Sequence, residues 1–192
     1  MIQYRRLSAL LLGIWLGAGI VTDLAVTQNF QAVDRFLETP GNPVTSAQLN
    51  QIGRARERVI LRRNAGEENN WIFLNWERVE LTMGAALFLL LLFGDRPQKL
   101  MLGFSLALLA IVGAEHFFLT PPIAELGRTV DNLPNTDPQY KTFWTLHGLY
   151  SGLDIVKMLV TVAMAARLIV RRRPDKEHFV REYAREQAQT RG

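Results

Sequence analysis

Four apolar blocks alternate with polar segments along the chain, and they predict helices at about residues 7–27, 70–94, 99–120 and 142–171. The third block carries no charged side chain from residue 100 to residue 114. Residues 87–93 (LFLLLLF) would be apolar around the whole circumference of a helix, which leaves no polar stripe to face water. Helices of this kind are buried in a protein core or in a membrane. We therefore predict an all-α fold, an antiparallel bundle of four transmembrane helices.

Residues 28–69 form a long polar insert after the first predicted helix. Phe30 to Leu37 has helical spacing, and the Pro and Gly residues of 39–43 predict a break. A second helix at about 46–63 is basic, and Asn64-Ala65-Gly66 is expected to end it. A solvated amphipathic helix on the bundle or on lipid headgroups is one interpretation, and a site for an anionic ligand or a partner is the other. The basic residues are Arg54, Arg56, Arg58, Arg62 and Arg63.

Turn residues and prolines predict where the second, third and fourth helices begin and end. Residues 94–99 (GDRPQK) predict a tight turn that makes the second and third helices antiparallel neighbours. Pro121-Pro122 is expected to end the third helix, and Arg171 to Arg173 with Pro174 the fourth. We thus expect a transmembrane domain at residues 1–173 and a cytoplasmic amphipathic tail helix at 174–192.

The basic residues sort by side if the four helices alternate in direction. Arg5-Arg6, Arg96 with Lys99, and Arg171 to Arg173 then share one face, which the positive-inside rule places in the cytoplasm. The arginines of residues 54–63 oppose the rule, although nearby glutamates dilute them. The first helix reads as retained, because its apolar run is longer than a typical signal peptide and no convincing cleavage site follows. We predict a multi-pass protein of the cell (inner) membrane with both termini cytoplasmic.

Composition narrows the expected partners and chemistry. The net charge of +4 lies in arginine clusters at segment ends, not in a basic face with interleaved aromatics, so no nucleic-acid partner is expected. The partners expected are the lipid bilayer and either other membrane subunits or further copies of the chain. Zero cysteines exclude disulfides, thiolate metal sites and cysteine nucleophiles. The chain has no nucleophile elbow, phosphate loop, dinucleotide fingerprint or HExxH motif, so an enzyme with a familiar mechanism is not expected. A non-enzymatic protein is one interpretation, and a metal- or haem-binding redox or transport protein of the membrane is the alternative.

A soluble four-helix bundle is the alternative architecture. The charge-free runs of the first three blocks number about 14 to 16 residues, fewer than the roughly 20 that span a bilayer. The all-round apolar segments and the sorting of basic residues favour the membrane interpretation.

Polar residues within the apolar blocks predict a cluster near the outer face. Counting about 1.5 Å per residue from the predicted helix ends places Asp23, Glu80, His116 and His147 at one level, one on each helix. Glu77 and Glu115 lie beside them. Because adjacent helical residues point about 100° apart, Glu115 and His116 cannot both face the bundle axis squarely, and we expect His116 to do so.

This cluster has four interpretations. The first is a buried polar network that fixes helix register, and the second is a path for protons or cations through the membrane. The third is a metal site, since His and carboxylate ligands in a bundle core suit Zn, Mn or Fe. The fourth is a site for a bis-histidine haem between His116 and His147. The candidate metal ligands are His116, His147, Glu80, Asp23, Glu77 and Glu115.

The fourth helix carries a polar stripe with three- and four-residue spacing, which places its members on one face. In a spanning helix such a face points into the bundle. Asp154 and Lys157 fall near mid-membrane, where we expect them to form an ion pair. The stripe consists of His147, Tyr150, Ser151, Asp154 and Lys157.

Three short motifs resemble the DUF4149/TMEM205-like family of four-helix membrane proteins over about residues 8–170. They are Trp15-Leu16-Gly17, the segment 118–123 (FLTPPI) followed by Arg128, and the segment 143–151 (FWTLHGLYS). His147 matches the histidine of the family's motif. The chain departs from the family pattern at Thr22-Asp23, where apolar residues and a proline would be expected. The resemblance implies an integral membrane protein and leaves its biochemical activity open.

Overall fold

The computed structural model describes residues 2–39, 42, 47, 51, 53–94 and 99–170, and these contain helices and no strand. The predicted all-α class is confirmed for this part of the chain. The α-helices are α1 (Ile2–Glu38), α2 (Arg54–Leu92), α3 (Lys99–Ala114), α4 (Thr120–Gly127) and α5 (Pro138–Ile169), and Val130–Asn132 is a 3₁₀ turn. A π-helical turn at Glu115–Leu119 joins α3 to α4, so the described residues form four long helical rods.

The rods form a ring in which each packs against two others. α1 contacts α2 and α5, and α3 contacts the same two helices from the other side. Antiparallel register is visible between α1 and α2, where Trp15 bonds Glu80 and Asn69 bonds the carbonyl of Val26. Arg5 closes the ring, since its guanidinium donates to the Leu168 carbonyl at 2.9 Å.

The apolar core comes from one stripe on each helix. On α3 the buried residues recur every three or four positions, at Met101, Ser105, Leu108 and Val112. The helices pack tightly at Gly84, where an added Cβ would lie 2.7 Å from Leu109 Cδ2 and 3.2 Å from Trp15 Cη2. Three helices therefore meet at this position. The core comprises Leu12, Trp15, Leu87, Met101, Leu108, Val112, Met164 and Leu168.

The polar insert is organised differently from the prediction. α1 runs unbroken to Glu38, and α2 passes straight through Asn64-Ala65-Gly66, so the predicted helix end there is wrong. Ala65 is buried, and we infer that packing along this face outweighs the roughly 1 kcal/mol that a mid-helix glycine costs. Much of the insert therefore extends α1 and α2. The predicted break at 39–43 and the start of the basic helix lie mainly outside the described residues.

The third rod does not end at Pro121-Pro122, which is a second correction. The amide of Thr120 bonds the carbonyl of Glu115, five residues back, and the prolines follow in the first turn of α4. Prolines fit a first helical turn because the amides they lack have no partner there. The wide π-helical turn thus lets the rod continue to Gly127.

α5 begins at Pro138, earlier than the predicted start near residue 142. Asp137 caps it by accepting a hydrogen bond from the Gln139 amide at 2.7 Å, and proline is favoured directly after such a cap. The turn at 95–98, the stop at 171–173 and the tail at 174–192 fall outside the described residues.

Two of the described rods are long and apolar enough to cross a membrane. They are Tyr4–Glu38 and Lys99–Gly127, with mean hydropathies of 2.0 and 1.8 over their most apolar windows. Only 17% and 28% of these windows are buried in the protein. The core helix of a soluble protein would be mostly buried, so these two rods carry an unusual amount of outward-facing apolar surface.

Candidate functional site

A lysine in the middle of the bundle holds three carboxylates. Lys157 Nζ lies 2.9 Å from Glu80 Oε2, 2.9 Å from Glu115 Oε2 and 2.9 Å from Asp154 Oδ1. Lys157 is 3% exposed, Glu80 1% and Glu115 0%. The predicted Asp154–Lys157 ion pair is present, but it is one of three that share the same ammonium group.

The first helix completes this arrangement. Trp15 Nε1 donates to Glu80 Oε1 at 2.8 Å, and Asp23 lies within hydrogen-bonding reach of Asp154. We call Lys157, Glu80, Glu115, Asp154 and Asp23 the ionic cluster. All four rods contribute to it, so no two-helix fragment contains the whole site.

The ionic cluster holds more acids than bases. It contains four carboxyl groups and one ammonium group, which contacts three of them. Glu115 Oε1 is buried without a hydrogen-bond partner among the described residues. Ionised carboxylates out of water are strongly disfavoured without compensation. The one ammonium group therefore compensates the buried carboxyl groups only in part.

A second polar group, the Glu77 cluster, forms around a carboxylate one helical turn before Glu80. Glu77 Oε2 lies 2.8 Å from His116 Nδ1, and Tyr150 donates its hydroxyl to Glu77 Oε1 at 3.2 Å. Thr120 also donates to Glu77 Oε1. Glu77 is completely buried, and these three partners satisfy its oxygens. With the ionic cluster it makes a polar seam along the inside of the bundle.

The π-helical turn sits where the two clusters meet. It begins at Glu115, which enters the ionic cluster, and contains His116, which turns to Glu77. The expectation that His116 would face the bundle interior most squarely is wrong: Glu115 is fully buried, whereas the His116 side chain is 16% exposed. π-Helical turns recur at functional sites, because they re-aim the side chains that follow.

His147 does not join either cluster. Its ring stacks on Phe143 with centroids 5.8 Å apart and planes 6° apart, and it contacts the edge of Trp144. Depth counting placed it level with His116, but Tyr150, Asp154 and Lys157 are the residues that α5 contributes to the clusters. Ser151, also on the predicted stripe, is exposed and bonds back to the His147 carbonyl.

The six predicted metal ligands are therefore divided. Asp23, Glu80 and Glu115 lie in the ionic cluster and Glu77 and His116 in the Glu77 cluster. His147 lies outside both. No group of three or more His, Asp or Glu side chains in the described ranges is arranged to hold a metal ion. His116 and His147 have different surroundings, so the geometry gives no support to a haem held between them.

Sequence reasoning missed two members of the seam. Trp15 and Thr120 were noted only as parts of short motifs, yet both bond buried glutamates. A tryptophan within an apolar helix has one N–H that needs a partner when buried. That requirement is the signal that could have linked Trp15 to an acidic residue on another helix.

Beyond the bundle, the extensions of α1 and α2 enclose a cavity of about 280 Å³ with α4, the 3₁₀ turn and the start of α5. We call it the outer cavity. Its lining includes Arg62, Arg63 and Arg128 together with Glu67 and Asp131. The aromatic residues Phe30, Phe73, Phe143 and Trp144 contribute to its apolar surface. His147 also lies in this lining.

Two exposed sets of ion pairs surround the outer cavity. Asp34 on α1 receives Arg58 at 2.9 Å and Arg62 at 3.6 Å. Arg128 Nε lies 2.7 Å from Glu67 Oε1. This hydrogen bond lowers the pKa of Glu67 and raises the pKa of Arg128 relative to their ordinary values.

Comparison with protein-family models, with curated proteins and with solved structures returned no match.

Proposed function

We propose that this chain is a non-enzymatic integral membrane protein that crosses the bilayer four times, with the ionic cluster holding its helices together. The observation that carries this proposal is an inverted distribution of side chains. Large apolar residues cover the outside, while Glu77, Glu80, Glu115 and Lys157 are buried. A protein folded in water keeps such charged groups mostly exposed, whereas in lipid they face the interior of the bundle.

The inversion is clearest on α5, which hydropathy alone does not select as a span. Its outward positions include Ile155, Leu159 and Val162, which are 60%, 65% and 47% exposed. Its charged residues Asp154 and Lys157 point into the bundle. Mean hydropathy averages over both faces of the helix, so the charged inner face lowers the value although the outer face is apolar.

In the proposed topology the protein lies in the cell (inner) membrane, with both termini on the cytoplasmic side. Arg5-Arg6 and Arg171 to Arg173 then flank the membrane on the cytoplasmic side, in accordance with the positive-inside rule. The outer cavity lies on the opposite side. A relationship to the DUF4149/TMEM205-like family is part of this proposal and rests on the three short motifs alone, since no family model matches the chain.

Topology reporters test this proposal. Green fluorescent protein fused after Arg173 should fluoresce, and alkaline phosphatase fused after Asn135 should be active. Both fusions should stay in the membrane after alkaline extraction. Release by alkali, loss of fluorescence after Arg173 or inactive phosphatase after Asn135 would contradict the proposal.

Proton or cation transport is a second candidate, favoured by the excess of acids in the ionic cluster. The unpartnered oxygen of Glu115 gives an incoming proton or cation a place to bind. The clusters link through Glu77 and Glu80 on one helix and Glu115 and His116 on another, so the seam offers successive polar groups along the bundle axis.

Flux into liposomes that contain the purified protein and a pH-sensitive dye tests this candidate. Wild-type protein should raise the rate of acidification above that of empty liposomes, and Glu115→Gln should abolish the increase. Glu125→Gln, at an exposed position of α4, is the matched control. Equal rates with and without protein, or an undiminished rate in Glu115→Gln, would exclude proton transport through this seam.

A further inference from the structure

The outer cavity has the composition of a binding site for a small amphipathic anion. Aromatic side chains from three helices, Phe30, Phe73, Phe143 and Trp144, form an apolar surface within it. Ligand sites are typically concave and mainly apolar, with a few polar groups that orient the ligand, and they start at about 300 Å³. The outer cavity, at about 280 Å³, lies just below this range and therefore suits a small ligand.

The charges in the lining favour an anion. Three arginines and two acids contribute to it, which leaves one positive charge in excess. Arg62 contacts Asp34 and Asp131, and Arg128 contacts Glu67. Arg63 lies near Glu67, whose pKa it helps to lower, but makes no ion pair within 4 Å to any acid that the structure describes. Its guanidinium is therefore the cation of the lining most available to a ligand.

Gly66 lies one turn from Arg62 and Arg63 and provides the space. A Cβ added to Gly66 would meet nothing within 4 Å, so the cavity is open above this residue. The Arg62 guanidinium lies 5.1 Å from the centroid of the Phe30 ring. This cation–π contact joins α2 to α1 on one side of the cavity.

We propose that the outer cavity binds an amphipathic monoanion, with an acidic headgroup at Arg63 and an apolar body against Phe73, Phe143 and Trp144. Such an anion is either a small water-soluble carboxylic acid or a fatty acid from the bilayer. Both have the same headgroup chemistry, and the experiment separates them.

Fluorescence titration of the full chain in lipid nanodiscs tests the proposal, with Trp144 as the reporter in the cavity. The probes are 4-phenylbutyrate for the soluble source, palmitate for the membrane source and 4-phenylbutan-1-ol as a neutral analogue. At least one acid should give a saturable change. Saturation by 4-phenylbutyrate indicates the soluble source, and saturation by palmitate alone indicates the bilayer.

Two variants test the two parts of the site. Arg63→Gln should weaken binding of the acid about tenfold, because it removes a charge-assisted hydrogen bond. Gly66→Leu should abolish binding by filling the open space. The matched controls are Arg35→Gln, outside the cavity lining, and Gly103→Leu, at another open glycine. Both controls should bind like the wild type.

Three results would overturn the proposal. They are no saturable change with either acid, equal affinity for the acid and the neutral alcohol, or unchanged affinity in both Arg63→Gln and Gly66→Leu. Neither variant touches the ionic cluster, so failure here would leave the proposed membrane architecture intact.

Discussion

Lys157 and Arg58 each hold a carboxylate oxygen at 2.9 Å, but their surroundings differ completely. The Lys157–Glu80 pair lies inside the bundle with side chains 4% and 1% exposed. The Arg58–Asp34 pair lies on the helical extension with side chains 57% and 37% exposed. Water can replace either partner of the exposed pair but neither partner of the buried one. The two pairs have the same N–O distance, but breaking the buried pair should cost more free energy of unfolding than breaking the exposed one. Five substitutions or titrations can test this difference.

The largest effect is expected for Lys157→Met. This change leaves Glu80 and Glu115 buried without their shared counter-charge, and breaking a buried pair in this way costs about 3–5 kcal/mol. Chemical denaturation in detergent measures the loss. Lys141→Met, at an exposed position of the same helix, is the control and should change stability little. Equal stability of the two variants would show that Lys157 does not organise the ionic cluster.

Trp15→Phe should follow in size. It removes the hydrogen bond to Glu80 and leaves that carboxylate oxygen without its donor, at a cost of about 1.5–3 kcal/mol for a bond to a charged group. Thermal unfolding followed by circular dichroism measures the effect. Trp71→Phe, at a side chain 67% exposed, is the matched control, and an effect as large there would remove the special role of Trp15.

Glu115→Gln should cost less than Lys157→Met, although both alter the same contact. The amide still offers an oxygen to Lys157, and two other carboxylates remain on its ammonium group. We expect a change of about 0.5–1.5 kcal/mol, the net value of one hydrogen bond. Chemical denaturation of both variants under the same condition compares their free energies of unfolding. A larger loss of stability in Glu115→Gln would contradict the view that Lys157 is the group on which the acids depend.

Arg58→Gln should have a small effect, since exposed ion pairs contribute about 0.2–1 kcal/mol. High salt should remove the difference from the wild type, because exposed charges are screened. Denaturation at low and high salt checks both points. A loss that persists at high salt would mean that this pair is less exposed than the structure indicates.

The smallest effect concerns pH at the Glu67–Arg128 pair. Because Arg128 lowers the pKa of Glu67 in the folded protein, the pair stabilises the fold above the unfolded-state pKa of Glu67. That contribution is lost as the pH falls through the lower folded-state value. Nuclear magnetic resonance titration should show the Glu67 pKa rising in Arg128→Gln, and an unchanged value would exclude the pair as its cause.

The sequence predicted the helical class and several members of the seam, because charged residues inside apolar blocks stand out in a linear pattern. Asp23, Glu80 and Glu115 were named, and the Asp154–Lys157 pair followed from three-residue spacing on one helix. The rotation of one helix against another could not be predicted from the pattern. For this reason His147 was placed in the cluster and Lys157 was paired with a single carboxylate.

The predicted helix boundaries are wrong where tertiary packing or local backbone geometry outweighs a helix-ending residue in the sequence. Gly66 and Pro121-Pro122 are ordinary helix-ending signals, but Ala65 is buried, and a π-helical turn precedes the prolines. The outer cavity was also beyond sequence reasoning, since it needs the continuous extensions of α1 and α2. Arg62 and Arg63, which line it, belong to the basic segment of the insert, and a site for an anionic ligand or a partner is one of the two interpretations of that segment.

The most direct test of the central claim is the environment of α5, whose outer surface should face lipid despite its charged residues. The absence of native cysteines allows a single spin label at Leu159, which is 65% exposed. In nanodiscs, the label should collide more often with oxygen, which concentrates in lipid, than with a water-soluble nickel complex. A label at Lys141, at the outer end of the same helix, should show the opposite preference. If the label at Leu159 were as accessible to nickel as the label at Lys141, α5 would lie in water and the four-span architecture would be wrong.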